Sequence, residues 1–166
     1  MMSAKKVIVV LTLLLASLTA RGQLYLGGGI GIGSDYGNRG GIAFTFAPDI
    51  SYRVSNNFLV GAQASYRTGY DRLAVTPYAR WHILPLEGIM SIFVSASAPF
   101  EFYPDYTTLG VRLRPGIAIR VSQGVYMLVH IGSFGYSEVF QNGRHYGDWI
   151  AAIDGNNISV GFCVGL

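Results

Sequence analysis

Cysteine and lysine are nearly absent from this sequence of 166 residues. Cys163 is the single cysteine, so no internal disulfide can form within the chain. Its apolar neighbours indicate a small side chain that fills space on a strand. Lysine occurs only at Lys5 and Lys6, both close to the N-terminus.

Long hydrophobic runs are also missing, except for one near the N-terminus. Lys5 and Lys6 precede an apolar core, Val7–Leu15, and the small-x-small triplet Ala20-Arg21-Gly22 follows it. A helical membrane span needs about 20 apolar residues, so this run is too short to be an anchor. The pattern is typical of a cleaved signal peptide and predicts a leader over residues 1–22 and one domain over residues 23–166. Cleavage after Ala20 instead would put Leu18 where a small residue is preferred. No cysteine follows the predicted cleavage site to carry a lipid anchor.

The excess of positive charge lies in the predicted leader. The net charge of +3 comes from twelve basic and nine acidic residues. Removing Lys5, Lys6 and Arg21 leaves nine basic residues against nine acidic ones, so the mature chain is neutral. This balance excludes an argument for nucleic-acid binding from a basic surface, and no nucleic-acid partner is predicted.

Helical periodicity is scarce after residue 22, whereas alternation with a period of two recurs along the chain. The stretch Phe44–Tyr66 shows it best, with two alternating segments joined by a turn at Ser55–Asn57. Such alternation predicts half-buried strands. The full pattern predicts eight strands at about Leu24–Gly33, Phe44–Val54, Phe58–Tyr66, Ala74–Ile83, Met90–Phe102, Leu109–Val121, Val125–Phe134 and Ile158–Leu166. Pro48, Pro77, Pro99 and Pro115 lie inside these strands, and bulges or local unpairing are expected there.

Side-chain volume decides which face of these strands points outward. Each strand carries roughly five large apolar residues on one face, while the interior of an eight-stranded barrel barely holds its side chains. The opposite face is rich in Gly, Ala and Ser, which suits a narrow lumen. The apolar face is therefore predicted to point outward into lipid, in an all-β, eight-stranded, antiparallel, up-and-down transmembrane β-barrel. Aromatic residues at the strand ends fit interfacial girdles: Phe44, Tyr52, Phe58, Tyr66, Trp81, Phe100 and Phe102.

An even number of strands places both termini on one side, taken to be the periplasm. The periplasmic turns are then 55–57, 84–89 and 122–124. The outer loops are 34–40, 69–73, 103–107 and the long 136–156.

The polar faces supply the candidate site, a charged lumen. Buried charges must be paired, so a structural network that fills the lumen is the first interpretation, and a conducting pore is not expected. The second interpretation is an anion site, because arginines outnumber acids. The residues concerned are Asp49, Arg53, Arg67, Arg80, Glu101, Arg112, Arg114 and Arg120, with Glu138 added if strand seven extends.

The long loop 136–156 is the candidate surface for a partner outside the membrane. Its Tyr136, Phe140, Arg144, Tyr146 and Trp149 are residue types that dominate binding interfaces. The alternative is that these residues only extend a hairpin or cap the lumen.

Other chemical sites are not supported by the sequence. The glycine run from Gly27 to Gly33 lacks the G-x-G-x-x-G register and is followed by no crossover helix, so it predicts a strand with a small inner face. The three histidines lie on separate elements without metal-ligand spacing. Accordingly, no cofactor and no metal is predicted.

Several segments together carry a resemblance to a known family: PDISYRVSNNFLVGAQASY, TPYAR, LRPGIAIRVSQGVYMLVHIG and SVGFCVGL, after the leader. Residues 23–166 resemble the small outer-membrane β-barrel domain family, which is similar in build to the OmpX and OmpA membrane domains. The resemblance implies a porin-like architecture in the outer membrane of a Gram-negative cell, with outer-membrane lipid and the assembly machinery as partners. Family members usually end in an aromatic residue, whereas this chain ends in Leu166.

The resemblance implies a barrel but no activity, and a non-catalytic role is predicted: membrane integrity, or surface interaction and adhesion through the outer loops. The alternatives are a lipid-modifying enzyme, of the deacylase or acyltransferase type, and a binder or transporter of small ligands. A deacylase of this kind would need a histidine and a serine two residues apart, and no His-x-Ser occurs. An acyltransferase would use His, Asp and Ser on outer loops, where only His145 and Asp148 are candidates.

Overall fold

The computed structural model of the chain describes residues 24–34, 42–68, 71–86, 88–141, 143–152 and 158–166. The predicted signal peptide lies outside these residues, as does most of the first predicted outer loop. Within the described residues there is no helix long and apolar enough to cross a membrane.

Every regular element that the structure describes is a β-strand. The strands are β1 (Leu24–Ser34), β2 (Ile42–Ser55), β3 (Phe58–Arg67), β4 (Arg72–His82), β5 (Met90–Ser97), β6 (Phe100–Phe102), β7 (Thr107–Ser122), β8 (Val125–Ile131), β9 (Ser133–Gln141), β10 (Arg144–Ala152) and β11 (Ile158–Gly165).

These strands form a closed antiparallel barrel with eight positions in its wall. β1 to β4 pair in chain order, β5 and β6 share the fifth position, and β7 is the sixth. β8 takes the seventh position and β11 the eighth, and β11 closes the ring by pairing with β1. Each wall strand lies beside the next wall strand along the chain, so the predicted up-and-down, eight-stranded, all-β barrel is confirmed.

The outer surface of the barrel is apolar, as predicted from side-chain volume. Phe46 is 62% exposed, Val111 is 63% exposed and Trp81 is 58% exposed, although all three lie within strands. Their neighbours in sequence point inward and are small or polar, such as Ala47, Gly110 and Arg80. Large apolar side chains therefore cover the outside of the wall because the lumen has no room for them.

The two ends of the barrel differ. The end that we call the turn end holds residues 24 and 166 and the short connections 56–57, 83–89 and 123–124. The opposite end is called the loop end. Near the turn end, buried side chains fill the lumen: Tyr25, Leu59, Leu86, Phe93, Ala118, Tyr126, Leu128 and Cys163. Phe93 is fully buried at its centre and packs so closely on Gly116 that a Cβ there would overlap the ring.

Three of the four strand prolines coincide with the local irregularities that a missing backbone donor predicts, whereas Pro77 pairs with Ala62 in regular register. At Pro48 the pairing with β3 is interrupted between Phe46 and Asp49 while the register is kept. Pro99 separates β5 from β6. Opposite Pro115, Gly132 separates β8 from β9 with a φ of 84°, and the register against β7 shifts by one residue there.

The predicted loop 136–156 is mostly a β-hairpin. β9 continues the wall position of β8 and pairs with the loop-end half of β7, and β10 pairs with β9 from Arg144 to Ala152. Among the described strands, β10 has no second neighbour, so one of its edges carries no strand. Strand seven thus extends to Gln141, beyond the Phe134 that alternation predicted.

Candidate functional site: the charged lumen

The loop-end half of the lumen contains a cavity of about 300 Å³. Five arginines contribute to its wall, and Asp49 is the one acidic residue among the described residues that line it. The arginines come from three strands, and they face the lumen because each occupies an inward position in its strand's alternation. They are Arg67 on β3, Arg72 and Arg80 on β4, and Arg112 and Arg114 on β7.

Glu101 organises one side of this lumen. Its side chain is almost completely buried, accepts a hydrogen bond from Arg72 Nη1 at 3.4 Å and forms an ion pair with Arg112 Nη2 at 3.1 Å. Tyr103 donates its hydroxyl to the second carboxylate oxygen at 3.2 Å. Glu101 lies on β6, between β4 and β7, so both arginines reach it from adjacent strands.

Tyr103 lies in the connection that follows β6. Burial, reinforced by the negative charge of Glu101, raises the pKa of Tyr103 to about 12. Its hydroxyl therefore stays protonated near neutral pH and donates a hydrogen bond to the carboxylate. The ring of Tyr103 packs face to face with the ring of Tyr106, at 4.2 Å between ring centroids.

Asp49 has a weaker set of partners. Tyr78 donates its hydroxyl to Asp49 Oδ2 at 2.5 Å, while the other oxygen, Oδ1, is buried without a hydrogen-bond partner among the described residues. Arg80 stabilises the carboxylate by its charge but forms no ion pair with it within 4.0 Å. The Arg80 guanidinium instead lies over the rings of Tyr78 and Phe93 and donates from Nε to Ser95 Oγ at 3.2 Å.

Arg114 binds a neutral side chain rather than an acid. Its Nη2 donates to Ser159 Oγ at 2.9 Å, and that oxygen lies 3.5 Å from His130 Nδ1. Ser159 and His130 are paired across β11 and β8, so their side chains share the inward face. The edge of the His130 ring also packs on Phe93.

Two further polar groups lie near the turn end. Arg53 donates to the hydroxyl of Tyr25 and lies over its ring. His82 Nδ1 is 2.7 Å from Ser91 Oγ, and both residues are buried. These contacts tie β2 to β1 and β4 to β5.

The structure brings most of the predicted lumen residues together, with one exception. Arg67, Arg80, Arg112 and Arg114 line the cavity with Asp49, Glu101 lies against it, and Arg53 is separate, towards the turn end. The exception is Arg120, which the alternation placed inward. It is exposed near the turn end of β7, where it pairs with Tyr126 of β8, and it does not line the cavity.

Four residues of the polar network in the lumen were not predicted from the sequence. Arg72 was assigned to an outer loop but starts β4, and Tyr78, Tyr103 and Ser159 were not singled out. Tyr78 and Ser159 occupy inward positions in their strands, so the alternation contained a signal for them. Arg72 and Tyr103 lie at strand ends, where alternation gives no assignment.

The hairpin β9–β10 forms the second candidate site. Trp149 pairs with Tyr136 and packs edge-on against its ring at 5.4 Å, and Phe134 lies 6.0 Å from Trp149. Phe140 contacts His145 across the hairpin. Trp149 is 69% exposed, and Phe140, Arg144 and Tyr146 are also exposed. The predicted contact residues therefore all lie on the hairpin and remain accessible.

These side chains do not form a complete catalytic or metal-binding site among the described residues. His130 with Ser159 resembles part of a nucleophilic site, yet the serine hydroxyl is held by Arg114, and no described carboxylate hydrogen-bonds His130. A triad also needs a group that orients the histidine. No cluster of three or more metal-ligating side chains occurs among the described residues. The lumen is thus built to hold charge, and the hairpin to present aromatic surface.

Comparison with known proteins identifies no family. No protein-family model matches the chain, and no curated protein matches it. Among solved structures, the chain is similar to the crystal structure of Neisserial surface protein A, with 12% identical residues and a TM-score of 0.49. The alignment covers 86% of this chain and 95% of that chain.

Proposed function

We propose that this chain is a non-catalytic integral barrel of the outer membrane that acts in membrane integrity or in surface interaction and adhesion. The observation that carries the proposal is the apolar exterior of a closed wall. Phe46, Trp81 and Val111 are more exposed than a water-facing strand tolerates, and a closed barrel satisfies every wall backbone group internally.

The hairpin β9–β10 supports a role at the surface. It lies at the loop end, exposes Tyr136, Phe140 and Trp149, and leaves one edge of β10 without a neighbour among the described strands. Exposed aromatic side chains are frequent anchors of interfaces, and an open strand edge accepts a further strand. Surface interaction through this hairpin is the specific form of the proposal.

A plugged lumen belongs to the same proposal. The apolar cluster around Phe93 and Leu59 blocks the turn end, which argues against free passage of solutes. The enzymatic alternative has one observation in its favour, the contact of His130 with Ser159. That pair faces the lumen, whereas an acyl chain would lie against the outer face, so we place the pair in the structural network.

Fractionation of expressing cells tests the membrane assignment. The protein is expected in the outer-membrane fraction, extractable with detergent only, and its unheated form should migrate differently from its heated form on a denaturing gel. A soluble periplasmic protein, or identical migration of both samples, would contradict the proposal. Unchanged lipid A mass in the same cells would separate this function from the lipid-modifying alternative.

A further inference from the structure

The cavity in the loop-end half of the lumen carries more positive than negative charge. Leaving Arg67 aside, its wall presents four guanidinium groups, those of Arg72, Arg80, Arg112 and Arg114. Two described carboxylates, those of Asp49 and Glu101, lie near these guanidinium groups. Glu101 forms ion pairs with both Arg72 and Arg112. Two positive charges therefore lack a carboxylate among the described residues.

Arg80 and Arg114 are the two arginines that form no ion pair with a described carboxylate. Arg80 donates to the hydroxyl of Ser95 and Arg114 to the hydroxyl of Ser159, and neither guanidinium has a described carboxylate within 4.0 Å. The positive charges of Arg80 and Arg112 both act on Arg114, so the cluster repels itself. A buried cationic cluster of this kind is costly unless an anion joins it.

Buried hydrogen-bond donors without an acceptor also indicate an anion in the cavity. The Nε–H groups of Arg72 and Arg112 are buried, and neither finds a hydrogen-bond acceptor among the described residues. Buried donors are satisfied in the great majority of cases. The cavity between these side chains is where a shared acceptor would lie.

We propose that this cavity binds a phosphate group. Guanidinium groups match the geometry of phosphate oxygens and bind them through paired hydrogen bonds. Arg112 and Arg114 on β7 with Arg80 on β4 can contact such a group from two sides of the lumen. A volume of about 300 Å³ is at the lower end for small-molecule pockets and admits a phosphate with a small substituent.

The phosphate has two chemical sources. A soluble phosphate or phosphomonoester would reach the cavity through water, while a lipid phosphate would have to enter over the rim of a closed wall. Free inorganic phosphate and glucose 6-phosphate represent the first source. Mixed micelles with short-chain phosphatidic acid, compared with phosphatidylcholine micelles, represent the second.

Isothermal titration of the detergent-purified full-length barrel tests the proposal, at constant ionic strength with chloride as the competing anion. Wild type is expected to bind at least one of the phosphate probes in preference to chloride. The substitution Arg114→Gln should weaken binding about tenfold, since it removes one charge-assisted hydrogen-bonding group. Arg120→Gln is the matched control, because this exposed arginine lies on the same strand, β7, towards the turn end and outside the cavity, and the affinity of this variant should equal that of wild type.

Arg80→Gln tests the same site from β4 and replaces Arg114→Gln in the experiment if that variant does not fold. Without phosphate, both variants should unfold at least as late in denaturant as wild type, because they relieve repulsion. Binding of soluble probes assigns the site to a soluble anion, and binding of phosphatidic acid alone assigns it to a lipid. Absence of binding by all probes, or affinity unchanged in both cavity variants, would overturn the proposal.

Discussion

At the scale of single residues, Glu101 carries more of the lumen's charge balance than any other acid that the structure describes. It accepts hydrogen bonds from Arg72 and Tyr103 and forms an ion pair with Arg112, and its position on the short β6 brings it between the strands of the two arginines. Removing its charge leaves two guanidinium groups in a poorly solvated space, which costs more than the loss of one hydrogen bond.

The substitution Glu101→Gln is therefore expected to lower the free energy of unfolding by about 2 kcal/mol. Urea unfolding in detergent, followed by the fluorescence of Trp81 and Trp149, measures the change. Glu138→Gln is the control, since Glu138 is less buried and accepts a long hydrogen bond, at 3.5 Å, from the Tyr136 hydroxyl. Equal losses in both variants would show that Glu101 has no special role.

Sequence alternation could predict which residues face the lumen but not which partners they find. Arg80 and Arg112 occupy inward positions of their strands, so their orientation follows from the period of two. Partners depend on register between strands, and register is set by turns and bulges such as the one at Gly132. For this reason the bond of Arg114 to Ser159, 45 residues away, could not be predicted.

At the scale of elements, the hairpin β9–β10 completes only the loop-end half of the wall, where β9 pairs with β7. β8 pairs with β11, and β11 pairs with β1, before the hairpin is counted. Within the wall, β9 pairs only with the loop-end half of β7 among the described strands. Folding of the barrel should then depend little on the distal part of the hairpin.

Replacement of residues 137–148 by Asn-Gly tests this independence. Tyr136 and Trp149 are directly paired, so a two-residue turn fits between them. The shortened chain is expected to keep its heat-dependent gel migration and to lose binding of cells to surface partners, in an adhesion assay against the full-length chain. Failure to assemble would mean that the hairpin stabilises the wall, and full adhesion would exclude it as the contact surface.

The hairpin also marks where sequence prediction of elements fails. The wall strands alternate because one side meets the apolar exterior and the other meets the lumen, so Leu109–Val121 was easily predicted. In β10, from Arg144 to Ile150, most side chains are exposed on both faces. Without two different environments no alternation is required, and the segment could be predicted only as a loop.

At the scale of the whole molecule, the even number of wall strands fixes which connections share a side. Residues 24 and 166 lie at the turn end with the connections 56–57 and 123–124, and the hairpin lies at the other end. If the barrel spans the outer membrane as proposed, the turn end faces the periplasm and the hairpin faces the medium. The native Cys163 is buried in the lumen and should not react with bulky reagents.

Single cysteines at the two ends test this orientation. Gln141→Cys lies on the exposed end of the hairpin, and Asn56→Cys lies in the exposed turn between β2 and β3. A membrane-impermeant maleimide added to intact cells should label Gln141→Cys and leave Asn56→Cys unlabelled until the outer membrane is permeabilised. The parent chain, with Cys163 alone, should stay unlabelled in both conditions because the reagent cannot reach the filled end of the lumen. Labelling of Asn56→Cys in intact cells would invert the orientation, and with it the assignment of the hairpin as the surface that meets a partner.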